Sequence, residues 1–430
     1  MLAHCKLNLL SNYHIVMGPI TLFDKSFLQS LSVDQSVWFD HFFYPNVCPM
    51  FYVETLADLD KKVRPGRTAE QEVGIIADKF PDMSGSPSAH HRQLVLSELF
   101  GNPVSMDGRI VVMGGKNVEV DGKKGTVFEQ SEEAQAFQRW QKRDFLEIEK
   151  QIAQKWRAQN SADQSQMTQK LGPLNNEIMQ CKNLTDAHRA ACGFVENTAY
   201  DSEKIGLLAS LFGLTYVQTS SAIKRWIDQK RPPLVGYIPY GIHVLTVELF
   251  FFISHVRGFL SPSNRGDISY LFYLPFCSVF VSSDRIHRDC SGFFLRKDQE
   301  FVWGETLRFA LEDLNLYYSG FDEDVRKKGV MSFAGVPPDD RGDLVAKLWD
   351  RHLTEGYRKR ILNTEPSKLE ADPKFMDMMK QMAKAPPVPE KNAPGEENST
   401  DSMMIKRLVK KKKGAWFQVP HDLPADPPDL

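Results

Sequence analysis

Arg265-Gly-Asp-Ile-Ser-Tyr-Leu-Phe-Tyr-Leu-Pro-Phe-Cys-Ser-Val-Phe-Val-Ser-Ser-Asp284 places a carboxylate near each end of a helix-then-strand unit. Ile268, Leu271, Phe272 and Leu274 recur at helical spacing, Pro275 ends that helix, and Val279-Phe280-Val281 is an apolar run of strand type. A buried strand ending in Ser-Ser-Asp delivers Asp284 to the carboxyl edge of a sheet, where open α/β folds build their sites.

The same arrangement recurs near the N-terminus. Ile20-Thr21-Leu22-Phe23 reads as a short buried strand closed by Asp24, with Lys25-Ser26 leading into a helix through Phe27, Leu28 and Leu31. Residues 34–43 continue as helix, and Val47 to Phe51 reads as a brief strand made irregular by Pro49. Glu54-Thr-Leu-Ala-Asp58-Leu then starts a helix with Glu54 and Asp58 on one face.

The chain around these units is long enough for two to four domains, with 430 residues, 42% hydrophobic and 25% charged. A formal charge of −2 excludes a global basic field, so any nucleic-acid surface must be local. The six cysteines form no C-x-x-C pair, which argues against structural zinc or a disulfide framework and fits a reducing cytosol. No signal peptide is read, and the apolar run Val244 to Phe259 carries Glu248, His255 and Arg257 and reads as a buried helix, so no membrane partner is expected.

Residues 1–17 read as a dispensable extension. Residues 61–239 read as a mainly helical insertion with a β-hairpin turning near Asp121-Gly122. The segment Phe301 to Tyr318 reads as a helix, and 319–371 as further helix. Residues 372–430 read as a disordered Pro-rich and basic tail. In that tail Lys406 to Lys413 with Trp416-Phe417 could contact phosphates and stack on bases, although a solvated run is the commoner state.

Asp24, Glu54, Asp267 and Asp284 thus each stand at a strand end or helix start. Several carboxylates brought together call for a counter-charge, and a hard divalent cation with oxygen ligands is the usual one. Such a site activates water and neutralises charge on a phosphodiester. Arg257, Arg265 and Arg285 flank the acids as candidate RNA contacts. His287 and Asp289 read as loop residues paired with Arg285 or Arg288.

Leu22-Phe23-Asp24-Lys25-Ser26, the Glu54 helix start, and Asp267 followed by Val279-Phe-Val-Ser-Ser-Asp284 resemble the PIN-domain nucleases. The resemblance covers 18–60 and 240–318. It implies a PIN-like Rossmannoid parallel α/β sheet flanked by helices and split by the long insertion. It also implies that Asp24, Glu54, Asp267 and Asp284 are the catalytic and metal-binding acids of a Mg²⁺- or Mn²⁺-dependent endoribonuclease, with Ser26 matching a supporting hydroxyl; Asp58, one turn from Glu54, reads as a supporting acid or a surface residue. RNA is then the substrate, the cytoplasm the compartment, and an inhibitor or a homo-oligomer a partner that nothing in the sequence identifies. The alternatives are a catalytically silent PIN-like scaffold that binds RNA or protein, and an interaction protein in which the acids only cap helices.

Overall fold

Ile20–Phe23 and Val279–Ser282 lie side by side and parallel, with Thr21 opposite Val279 and Phe23 opposite Val281. The two strand-ending acids of the sequence therefore sit at neighbouring strand ends. The structure is a computed structural model and describes residues 2–5, 18–61, 66–128, 131–160, 175–339, 343–363, 381–382, 384–387, 403–406 and 411–422. In chain order its strands are β1 Leu2–Cys5, β2 Ile20–Phe23, β3 Tyr44–Val47, β4 Ser86–Pro87, β5 Lys116–Val120, β6 Lys123–Phe128, β7 Val279–Ser282, β8 Glu300–Trp303, β9 Met403–Lys406, β10 Lys412–Lys413 and β11 Trp416–Phe417.

The fold is α/β, built on a five-stranded, all-parallel sheet in the order β4-β3-β2-β7-β8, and is compatible with a Rossmann-like arrangement. Leu22, Phe23, Val279, Phe280 and Val281 are fully buried, as expected for parallel strands covered on both faces. From β2 the chain steps outward to β3 and β4, then returns to the other side of β2 for β7 and β8. The order reverses between β2 and β7, and such a switch point opens a crevice at the carboxyl ends of the strands.

Short capped helices follow the strands. Helix α1, Lys25–Ser30, is capped by Asp24, which accepts from the Phe27 amide at 2.9 Å. Helix α2, Val33–Phe42, starts with a Ser32/Gln35 capping box. Helix α3, Pro49–Ala57, begins on a proline, whose missing N–H costs nothing at that position. The strand expected over Val47 to Phe51 thus stops at Val47, and Pro49 starts a helix instead.

The opening stretch folds as an α-helical turn, Arg265–Ser269, that tightens into 3₁₀ helix over Tyr270–Phe276 around Pro275 before β7. The helix Pro239–Val256 packs against the helices Leu184–Glu196 and His91–Leu99; it is long and apolar enough to cross a membrane but 72% buried inside the fold, which is compatible with a soluble protein. Glu98 caps its start, accepting from the amides of Tyr240 and Gly241 at 3.2 and 2.8 Å, and burial pushes the Glu98 carboxyl up to about 7.

Several sequence expectations change. Phe301 to Trp303 is not helix but the edge strand β8, paired with β7, and the helix starts at Gly304. Gly304 abuts Ser283, where a Cβ would collide with the hydroxyl. Ser86–Pro87, inside the stretch read as insertion, is the outermost sheet strand, so that stretch contributes to the core sheet. The hairpin is found where expected: Asp121 and Gly122 both have positive φ, the conformation of a two-residue type I′ turn. Leu2–Cys5, read as dispensable, pairs with β6 and with β9 in a second, four-stranded sheet.

The tail is not all disordered. Strands β10 and β11 form a hairpin whose Trp416 is 2% exposed, lies edge-on to Trp38 at 4.7 Å between centroids and donates to Asn315 at 2.9 Å. Lys413 is buried and donates to the Phe80 carbonyl. This part of the basic run anchors the chain to the core and offers Trp416 no surface for RNA; residues 407–410 lie outside the described residues.

Candidate functional site

Asp24 stands just past the carboxyl end of β2, and its backbone amide donates to the Val281 carbonyl of β7 at 3.3 Å, locking the two strand ends together. Its side chain is 3% exposed and fully engaged. Oδ1 accepts from the Phe27 amide, and Oδ2 accepts from Ser26 Oγ at 2.6 Å and Ser282 Oγ at 2.8 Å. Ser26, which lies two places after Asp24, donates to that carboxylate and also receives the Ser283 amide at 3.2 Å.

The residue that sequence reasoning misplaced is His287. It is not a loop residue paired with an arginine but a fully buried side chain on the helix Arg285–Cys290. Its Nδ1 lies 2.7 Å from Ser282 Oγ and 3.4 Å from Asp24 Oδ2, and its Nε2 lies 2.7 Å from the Asp267 carbonyl. A carbonyl only accepts, so Nε2 carries a proton. Ser282 gives its one proton to Asp24 and also receives the Asp284 amide at 2.9 Å, so Nδ1 must be a donor as well. The ring is therefore an imidazolium buried against Asp24. Burial alone would lower its pKa, but the hydrogen bond and charge of Asp24, with Asp267, raise it to about 9. Burial likewise opposes ionisation of Asp24, and the His287, Ser26 and Phe27 contacts outweigh it and hold the carboxyl below its usual range.

The other acids are less well compensated. Glu54, on α3, accepts from Tyr270 at Oε2, 2.7 Å away, and no described residue donates to Oε1. Burial raises its pKa, against the pull of Lys25 and Tyr270. The Asp267 carboxylate, in the first turn of its helix, receives no hydrogen bond from the described residues. Burial raises it to about 7, with Glu54, Asp284 and Asp24 adding to the rise and His287 opposing it. Asp284 caps the Arg285–Cys290 helix with Oδ1, accepting from Ile286 at 2.8 Å, and its other oxygen has no described donor.

The two halves of the sequence pattern thus meet at the switch point, close enough that Glu54, Asp284 and Asp24 each add to the rise at Asp267. Among the described residues, however, no three His, Cys, Asp or Glu side chains form a ready-made metal cluster. The chemistry of the donors fits a hard cation, since the unpartnered atoms are all carboxylate oxygens. Their spacing does not amount to a preformed shell.

The remaining candidates divide. Asp58 pairs with Lys25 at 3.0 Å, and Lys25 in turn donates to the Glu54 carbonyl, so Asp58 fixes α1 against α3 and does not face the acids as a ligand. Arg265 forks onto Glu248 through two 2.5 Å contacts and lies over Phe251, and Arg257 donates to the Cys181 carbonyl. Both guanidinium groups hold the fold together and are not poised for phosphates. Arg285 is exposed beside Asp284 and remains available. Compared with family models, curated proteins and solved structures, the chain has no match.

Proposed function

We propose that this chain is a PIN-like, cytoplasmic, metal-dependent endoribonuclease that hydrolyses RNA phosphodiester bonds at the β2/β7 edge. The observation that carries this reading is the convergence of Asp24, Glu54, Asp267 and Asp284 on the switch point, three of them with carboxylate oxygens that no described group satisfies. Glu54, Asp267 and Asp284 would hold Mg²⁺ or Mn²⁺, which would supply an activated water and neutralise phosphate charge.

The chain's own groups supply the rest. With its carboxyl raised to about 7 before a metal binds, Asp267 is divided between both forms at neutral pH, and its ionised form is the one that would ligate the ion. Asp24, held by Ser26, Ser282, Phe27 and the His287 imidazolium, is a fixed negative charge beside it. Exposed Arg285, beside Asp284, would meet the RNA backbone.

Asp284→Asn is the clean test, because Asn caps a helix as well as Asp does and the fold should survive. Metal-stimulated cleavage of a labelled RNA should fall on the order of 10²–10³-fold, the scale of removing one electrostatic group from a site. Cleavage persisting at the parental rate would overturn the reading. Asp24→Asn is less clean, since it also strips the counter-charge from buried His287. The second reading, a PIN-like scaffold that binds without cleaving, is favoured by that internal His287–Asp24 pair, which places a protein cation within the acid set.

A further inference from the structure

Glu54 and Asp284 each leave one carboxylate oxygen free. Glu54 Oε2 accepts from the Tyr270 hydroxyl at 2.7 Å, and no described residue donates to Oε1. Asp284 Oδ1 accepts from the Ile286 amide at 2.8 Å, and its other oxygen has no described donor. Asp24 leaves none, because Phe27, Ser26 and Ser282 occupy both of its oxygens. Only Asp267, of the four, keeps both oxygens clear of described donors.

Tyr270 stands three residues after Asp267, where the turn Arg265–Ser269 passes into the 3₁₀ segment Tyr270–Phe276. Residues three apart on a helix are neighbours on its surface, so one turn carries both the Asp267 carboxylate and the hydroxyl that holds Glu54. Burial fixes the phenol. Tyr270 is fully buried, and its ring lies edge-on to His287 with centroids 5.4 Å apart. From the α1 side, Lys25 Nζ donates to the Glu54 backbone carbonyl at 3.3 Å and to both Asp58 oxygens at 3.0 Å. Glu54 is therefore held at its backbone by Lys25 and at its carboxylate by Tyr270, with Oε1 as the oxygen left over.

The number of oxygens that each carboxylate offers separates the hard cations. Ca²⁺ takes roughly six to eight oxygens at about 2.3–2.6 Å and accepts bidentate carboxylates, whereas Mg²⁺ takes an octahedron at about 2.0–2.1 Å, keeps several waters and is held by one or two carboxylates. A bidentate Glu54 would move the donor set toward Ca²⁺. The bond from Tyr270 to Oε2 prevents that.

We infer that Tyr270 is a positioning residue for the cation: its hydroxyl confines Glu54 to one oxygen and so selects Mg²⁺ or Mn²⁺ over Ca²⁺. The inference rests on the cation site proposed above and adds the residue that sets its selectivity. Groups that orient metal ligands from behind typically change metal affinity by roughly 10–100-fold.

The test is calorimetric titration of the full chain at pH 8 with Mg²⁺, Mn²⁺ and Ca²⁺, without RNA. The unaltered chain should bind Ca²⁺ more weakly than Mn²⁺. Tyr270→Phe keeps the ring and frees Oε2, so the ratio of the Ca²⁺ to the Mn²⁺ dissociation constant should fall by roughly tenfold. Lost packing alone would weaken all three cations alike and leave the ratio unchanged. Glu54→Gln has a single side-chain oxygen whatever its neighbour does. It should weaken every cation yet keep the original ratio, and added to Tyr270→Phe it should restore that ratio. Circular dichroism checks folding, and Glu54→Gln alone carries the test should Tyr270→Phe not fold. An unchanged ratio in Tyr270→Phe, or a ratio that rises in Glu54→Gln, would overturn the inference. No binding by any of the three cations would overturn the cation site and the inference with it. Selective binding without RNA cleavage would count against the nuclease reading and leave the role of Tyr270 standing.

Discussion

Two regions of the same sheet edge treat charge in opposite ways. Around Asp24 the buried charges are paired: His287 answers Asp24, and Lys25 answers Asp58. On the other side burial and neighbouring carboxylates push Glu54 and Asp267 toward their neutral forms, and Lys25 and His287, each paired elsewhere, offset that only in part. The first region is built for stability, and the second withholds stability in a manner usual for sites that await a ligand.

The largest expected effect comes from removing one side of the compensated pair. His287→Ala leaves Asp24 buried without its cation and should cost about 3–5 kcal/mol, the range for breaking a buried ion pair, measured by denaturant unfolding. A loss of a few tenths would mean that the pair does not hold the edge together. The opposite sign is expected across the crevice. Asp267→Asn removes a destabilising charge and should raise stability at pH 8 by on the order of 1–3 kcal/mol while metal-stimulated cleavage is lost. Destabilisation there would erase the contrast between the two regions.

The pH profile separates the regions further. The Asp267 carboxyl is raised in the fold, so native chains keep a proton that unfolded chains lose above the ordinary carboxyl value of 3.8. Its contribution is present below that pH and is lost as pH rises through about 7. His287 is also raised, so its contribution is complete below 6.5 and is lost as pH climbs through about 9. Asp24 is lowered, and its share appears above 3.8 and is lost on acidification through its folded value. Urea midpoints from pH 4 to 9 should therefore decline in two limbs, with Asp267→Asn making the first shallower while Glu98 still contributes to it, and His287→Ala flattening the second. The smallest effect is expected at Asp58→Asn, about 1 kcal/mol, because the Asn side-chain oxygen still accepts from Lys25, with cleavage retained.

The parts of this molecule that the sequence makes readable are those carried by local patterns. The apolar runs of β2 and β7, the caps at Asp24 and Asp284, the Ser26 hydroxyl and the Asp121-Gly122 turn each lie within a few residues of their cause. What escapes depends on contacts distant in sequence. Ser86–Pro87 is too short to show any period and is a strand only because β3 offers it a ladder. Phe301 to Trp303 merges with the apolar spacing of the helix that follows. His287 gains meaning only once β2 and β7 are neighbours. The one available hint is its place in the first turn after a strand-ending acid, facing back toward the sheet. Trp416 sits in a run whose composition suggests disorder, and its burial depends on Trp38 and Asn315 far upstream.

The central claim is that the uncompensated carboxylates form a cation site. Mg²⁺ and Mn²⁺ titration followed by thermal unfolding at pH 6 and pH 8 tests it most directly, because a cation that binds the native state must stabilise it, by about 2.7 kcal/mol at a hundredfold excess over Kd. The account predicts stabilisation that is stronger at pH 8, where Asp267 has released its proton, and absent in Asp267→Asn. No stabilisation by either metal at either pH, or the same stabilisation in Asp267→Asn, would contradict it.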